Sequence, residues 1–182
     1  MASWVEDYFQ AWALHAQAGD PKTGQAAAAR MLAFMSPDIR YEDVPTGQLF
    51  TGHDAVIAMG AQTLRMSSDI RFTCISAQMS GDAFAFEQEA RGTNTGAVAG
   101  MAATNKPFVI RGVSVGRRGA DGRVIDHKDY WDLAGYLRQV GLLLIRTDAT
   151  QTVIPAKAAL GPPSADPGER ESRSGKAAHP PH

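Results

Sequence analysis

A length of 182 residues with 44% hydrophobic content allows one domain with a real core and is too short to promise two. The net charge of −1 comes with no block of like charge, so neither nucleic acid nor an anionic membrane is implied, and the expected partner is a small molecule. Cys74 is the single cysteine, which excludes an intrachain disulfide and a thiolate metal cluster; its apolar run, Phe72 to Ile75, reads as the place of a buried, inert thiol.

The opening Met-Ala-Ser-Trp-Val-Glu-Asp has neither a basic region nor a long apolar core. No segment approaches the roughly 20 apolar residues that span a bilayer, so a cytoplasmic protein is expected. Ser3 with Glu6 fits a capping box, and Trp4, Tyr8 and Trp12 follow at helical spacing with Val5 and Phe9 beside them, predicting a first helix from about Ser3 to Ala18. Gly19-Asp20-Pro21 stops it. A second helix is predicted over Gln25 to Met35, ending before Ser36-Pro37-Asp38. Ile39 to Val44 reads as short and extended, and Thr51-Gly52-His53-Asp54 opens a third helix that ends at Ser67-Ser68-Asp69.

The period then changes from helical to alternating. Ile70 to Met79, Ala83 to Thr93, Lys106 to Arg118 and Arg123 to Trp131 read as four long strands joined by hairpins, giving an antiparallel sheet. Asp132 caps a last helix through Leu133, Tyr136, Leu137 and Val140, with Gly141 as its stop. From about Arg146 the composition shifts to Pro, Gly, Ser, Ala and charge, which cannot bury enough apolar surface to offset chain entropy. The expectation is therefore an α+β domain over 1–145, a strongly curved sheet forming a cone around N-terminal helices, followed by a disordered tail over 146–182. The mouth of such a cone is where a small ligand fits.

The informative stretches are Tyr41-Glu42-Asp43-Val44-Pro45 and the strand that runs from Arg123 to Trp131. Alternation puts Ile125, His127, Asp129 and Trp131 on one face of that strand, and the apolar ends Ile125 and Trp131 mark it as the buried one. By the same rule Tyr41 and Asp43 share a face. An unpaired buried carboxylate costs several kcal/mol, so Asp129 and Asp43 each need a partner or a use. Two carboxylates in one apolar cavity repel, and burial is expected to raise at least one pKa toward neutrality, where it can abstract and return protons. His127 lies near enough to bias Asp129. Plainer roles stand beside these: Asp132 as helix cap, Asp43 as a turn residue, His127 as a satisfied core histidine, and Trp12 as core or as an apolar lid over the mouth.

Gly112-Val113-Ser114-Val115-Gly116 matches the nucleophile-elbow pattern letter for letter. The elbow needs a sharp turn from strand to helix, whereas Ser114 falls mid-strand and reads as a pocket-facing residue. Gly92-Thr93-Asn94-Thr95-Gly96 lacks the spacing and the lysine of a phosphate loop. No helical histidine pair or cysteine spacing supports a metal site.

Tyr-Glu-Asp-Val-Pro-Thr-Gly at 41–47, Gly81-Asp82, the Gly-Thr-Asn-Thr-Gly and Gly-Met-Ala-Ala-Thr-Asn-Lys stretches, and Asp-Gly-Arg-Val-Ile-Asp-His-Lys-Asp-Tyr-Trp-Asp-Leu at 121–133 resemble the SnoaL-like polyketide cyclases. These belong to the superfamily of nuclear transport factor 2, with ketosteroid isomerases and limonene-epoxide hydrolases. The resemblance runs from about Trp4 to Leu143. It implies an apolar pocket, no cofactor, a hydrophobic substrate and a homodimer or higher oligomer. The family's acid/base aspartate matches Asp129, the isomerases' aspartate matches Asp43, and Ser114 stands where the cyclases carry a histidine.

Three functions follow as expectations. In the first, a cofactor-independent acid/base enzyme performs aldol cyclisation of a polyketide-type ester, with Asp129 as proton carrier, His127 tuning it, Asp43 and Tyr41 holding the carbonyl or enolate, and Trp12, Ser114 and Trp131 contacting substrate. The second is ketosteroid-isomerase-like or epoxide-hydrolase-like chemistry in the same pocket. The third is a ligand-binding module without chemistry.

Overall fold

The computed structural model describes residues 3–17, 21–97, 100 and 102–143. The expected tail over 146–182 lies outside the described residues. Within the described residues four helices and six strands follow in the order α1 (Trp4–Gln17), α2 (Pro21–Leu32), β1 (Met35–Asp43), β2 (Gln48–Thr51), α3 (His53–Met66), β3 (Arg71–Ser80), β4 (Ala83–Thr93), β5 (Pro107–Arg118), β6 (Val124–Trp131) and α4 (Leu133–Gln139). No helix among the described residues is long and apolar enough to cross a membrane.

The capping box at the start of α1 is present in both directions: Ser3 N–H donates to Glu6 Oε2 at 2.6 Å and Glu6 N–H to Ser3 Oγ at 3.4 Å. Val5, Tyr8, Phe9 and Trp12, one helical face, are all buried. α2 differs from the expectation at both ends. It begins at Pro21, whose fixed φ suits a first helical position, and stops at Leu32, so that Met35 opens β1 instead of closing the helix. β1 is correspondingly longer than the stretch from Ile39 to Val44. Short β2, which the alternation does not reveal, pairs antiparallel with the end of β1, Asp43 opposite Gln48.

The sheet order is β2-β1-β6-β5-β4-β3. Its pairs are antiparallel except between β1 and β6, which run parallel with Tyr41 beside His127 and Asp43 beside Asp129. The sheet curls around α1: on that one helix, Trp12 packs on Phe72 of β3 and Phe86 of β4, while Tyr8 packs on His127 of β6. Irregularities in register assist the bend, at Cys74/Ser76 in β3 and at Arg117/Arg118 opposite β6.

The second irregularity corrects the reading of β6. Val124 pairs with Arg118 and Asp126 with Arg117, which leaves Ile125 as the extra residue of a bulge. Ile125 is therefore 39% exposed and Val124 is the buried apolar residue at that end. The inward phase of His127, Asp129 and Trp131 is unaffected. Cys74 is partly buried, not sealed, with its Sγ directed at Ser76 O.

Among the described residues two apolar clusters fill the interior. One joins α1, β1 and the near ends of β4 and β6 through Tyr8, Phe9, Trp12, Tyr41, Phe84, Phe86 and Val124. The other lies under α4, around Ile70, Ala90, Phe108, Ile110, Tyr136 and Val140. α4 is fixed by Asp132, whose carboxylate accepts from Gly135 N–H at 2.7 Å, and ends at Gly141 with φ +77°, as the sequence indicates.

Candidate active site

Between the two clusters the inner face turns polar. Along β4 it reads Phe86, Gln88, Ala90; along β6, His127, Asp129, Trp131; and Ser114 of β5 pairs directly with Asp129. Gln88, Ser114 and Asp129 thus form a seam crossing the sheet where apolar side chains would otherwise meet.

Asp129 is 9% exposed and accepts from three side chains. Tyr41 OH donates to Oδ2, while Ser114 OH, at 2.5 Å, and His127 Nε2–H, at 2.9 Å, donate to Oδ1. The direction of these bonds follows from their outer partners. Trp12 Nε1 can only donate, and it does so to Tyr41 Oη at 2.8 Å, which leaves the Tyr41 proton for the carboxylate. Gln88 Nε2–H donates to Ser114 Oγ at 3.4 Å, which does the same for the serine proton. Tyr8 Oη meets His127 Nδ1 at 2.8 Å. A hydroxyl donates to neutral imidazole and accepts from imidazolium, so His127 can gain a proton without losing that contact. The His127 ring is also stacked on Tyr41, centroids 4.2 Å apart and 12° from parallel.

This wiring sets the charges. Burial pushes Asp129 up, but the charge of His127 beside it and the hydrogen bonds from His127, Ser114 and Tyr41 outweigh burial and hold Asp129 below its ordinary value. Asp43 moves the other way. Burial raises it, the Trp131 Nε1–H bond to its Oδ1 at 2.9 Å opposes the rise, and the negative charge of Asp129 adds to it. Tyr8 and Tyr41 are pushed well above the phenol range by burial and by Asp129, so both stay neutral phenols. The expected raised carboxyl is Asp43. Asp129 is lowered instead, because the charge of His127 and the three donors outweigh its burial.

Of the residues singled out from the sequence, Asp129, His127, Ser114, Tyr41 and Trp12 form one hydrogen-bonded network, and Asp43 with Trp131 forms a second pair adjoining it in register. Sequence reasoning misses two members. Tyr8 reads as one more apolar residue of α1, and nothing local announces a partner 119 residues away. Gln88 does carry a signal, since period two from Phe84 and Phe86 puts a glutamine in the core phase of β4. Among the described residues no group of three or more His, Cys, Asp and Glu side chains is placed to hold a metal ion.

Comparison with solved structures places this architecture among known ones. TsrD from Streptomyces laurentii is 19% identical with a TM-score of 0.65, over 79% of this chain and 100% of that one. A protein from Catenulispora acidiphila with a ketosteroid isomerase-like fold, solved in complex with trimethylamine, is 21% identical with a TM-score of 0.61, over 75% and 94%. IdmH from Streptomyces antibioticus, a proposed polyketide cyclase, is 20% identical with a TM-score of 0.60, over 76% and 99%. Identities at this level establish a shared fold. Comparison with curated proteins gives no match. The family profile described as SnoaL-like domain matches residues 5–127, ending two residues before Asp129. With a sheet wrapped on α1, a carboxylate seam inside it and that match over most of the described residues, the chain belongs to the SnoaL-like domain family.

Proposed function

We propose that the protein is a cofactor-independent acid/base enzyme that removes a proton α to a carbonyl in a hydrophobic substrate and directs the enolate into an intramolecular aldol ring closure. The supporting observation is the pair of register-matched carboxylates, Asp43 and Asp129, whose surroundings drive their proton affinities in opposite directions. Such divergence assigns acid/base roles. Asp43, raised toward the working range, is the proton carrier: it takes the α proton, the enolate carbon attacks a second carbonyl of the same molecule, and the new alkoxide takes the proton back. Asp129 stays ionised. It holds Tyr41, Ser114 and His127 in place, and its charge adds to the burial that raises Asp43.

A second assignment of roles is favoured by the direct His127–Asp129 bond, in which the pair moves the proton and Asp43 orients substrate. One assay separates them and does not require the natural substrate. In D2O, α-proton exchange of 2-tetralone, a bicyclic ketone, is followed by NMR. Wild type is expected to accelerate exchange over buffer, with Asp43→Asn losing on the order of 10² of the rate, within the usual span of general acid/base help. If Asp129→Asn is the more damaging change, the second assignment holds; if wild type gives no acceleration, the acid/base reading fails.

A further inference from the structure

A second buried histidine takes no part in the carboxylate network. His15, in the last turn of α1, is 8% exposed, and neither Nδ1 nor Nε2 has a hydrogen-bond partner among the described residues. His127, by contrast, has a partner at each nitrogen. The His15 ring lies against α3 at Gly60, where an added Cβ would come within 2.3 Å of Nε2 and 2.8 Å of Cδ2. The bare glycine leaves the gap that the imidazole fills, so the two helices meet through this contact. Among the described residues no acid stands ready for a proton there. On α1 the acids are Glu6 and Asp7, more than two turns away. On α3, Asp54 and Arg65 lie more than a turn from Gly60 toward its two ends, with His53 beyond Asp54. The other elements packed on α1 are α2, β3 and β4. Arg30 of α2 is exposed, Arg71 of β3 donates to Ile70 O, and burial pushes the Cys74 thiol up, so it carries no charge. Glu87, Glu89 and Arg91 of β4 are engaged in ion pairs with one another or with Arg111.

A neutral imidazole is tolerated in such a place, whereas an imidazolium is a buried charge without a counter-ion. Burial accordingly holds His15 below the usual histidine range, against the carbonyl of Ile57, which favours the charged form without lining up for a hydrogen bond. The same helix brings Trp12 to Tyr41 and Tyr8 to His127. We infer that His15 is an acid-sensitive latch: a proton taken up by its imidazole parts α1 from α3, and the contacts of Trp12 and Tyr8 with the carboxylate network are released with the helix. A latch of this kind operates whether the site performs chemistry or only binds a ligand. Because His15 is lowered in the fold, the stability it contributes is complete above the ordinary histidine value of about 6.5 and is lost as pH falls through its folded pKa. Opening of the α1–α3 seam grows in that window by up to about tenfold per pH unit, the limit for uptake of one proton.

The test follows the full chain by NMR from about pH 7.5 to about pH 5.5, recording backbone amide hydrogen exchange corrected for intrinsic rates, the Trp12 indole N–H and the nitrogen-labelled histidine rings. Protection of α1, of α3 and of the Trp12 N–H is expected to fall about tenfold over that interval while the amides of β4 and β5 keep theirs. His15 is expected to titrate below about 6.5. In His15→Leu and His15→Met, which have no proton to take up, protection of α1 and α3 is expected to change by less than about twofold. A His15 that titrates at about 6.5 in folded wild type with the seam still protected, a loss spread evenly over β4 and β5, or the same loss in both variants would each overturn the latch. Should neither variant fold, the wild type decides: protection lost from the α1–α3 seam alone, together with a depressed His15 titration, upholds the latch, and the absence of either overturns it.

Discussion

The two faces of β6 treat charge differently. Outside, Asp126 and Lys128 meet opposite charges on β1, Asp126 with Arg40 at 3.7 Å and Lys128 with Glu42 at 3.2 Å, all partly in water. Inside, His127 and Asp129 on the same strand are served by tyrosine hydroxyls, a serine hydroxyl and each other, with no lysine or arginine among the partners. Exposed pairs contribute about 0–1 kcal/mol each and exchange readily with solvent. A buried anion held by one histidine and by hydroxyl dipoles needs several groups oriented at once, and a well-packed apolar residue would be as stable or more so. Stability alone explains the outer face and leaves the inner one unexplained, which is why the inner face is the candidate site.

That contrast can be broken from several sides. The largest effect is expected from Asp43→Asn in the 2-tetralone exchange assay, a loss on the order of 10² in rate with folding stability unchanged or improved. Asn keeps an acceptor for Trp131 while removing a charge that burial disfavours. Next, Tyr41→Phe removes a donor from Asp129 and strands the Trp12 N–H. Urea unfolding should show a loss of about 1–3 kcal/mol, the range for a buried polar group left unpaired.

The pH dependence should separate the two carboxylates by sign. Asp129 is lowered in the fold, so its contribution is complete above the ordinary aspartate value of about 3.9 and disappears as pH falls through its folded pKa. Asp43 is raised, so its contribution is complete below that value and is lost as pH rises through its folded pKa. Unfolding free energies of Asp43→Asn and Asp129→Asn, measured from acid to neutral pH, should therefore diverge from wild type in opposite directions; parallel curves would contradict the assignment. In the exchange assay, Asp129→Asn should also move the acid limb to lower pH, because burial still raises Asp43 but the charge that adds to it is gone. The smallest effect is expected on the outer face, where Lys128→Ala should change stability by less than about 1 kcal/mol and leave exchange untouched.

Much of this site is legible from local pattern. Period two places His127, Asp129 and Trp131 together, and Tyr41 with Asp43, because inward phase is a property of a strand alone. It fails at Ile125 because a bulge depends on the partner strand: the register shift opposite Arg117/Arg118 is not written in β6 itself. β2 escapes it since Gln48, Leu49, Phe50 and Thr51 form a short edge strand with little burial to impose alternation. The sign of the Asp129 shift is out of reach for a related reason. Burial can be inferred from one strand, but the donors come from β1, β5 and β6 together, and their sum decides the direction. Tyr8 stays hidden because the rotation of α1 over the sheet is a tertiary choice.

The parallel pairing of β1 with β6 has a consequence for biosynthesis. Tyr41 and Asp129 are 88 residues apart in sequence and Tyr8 and His127 are 119 apart, so a polypeptide still threaded through the ribosome tunnel at residue 131 has its phenols outside and its carboxylate out of their reach. Long-range closure of this kind is slow compared with the hairpins between β3, β4 and β5. The seam is thus among the last parts of the domain to form during translation, and a nascent chain has no assembled network around Asp129 until β6 has cleared the ribosome.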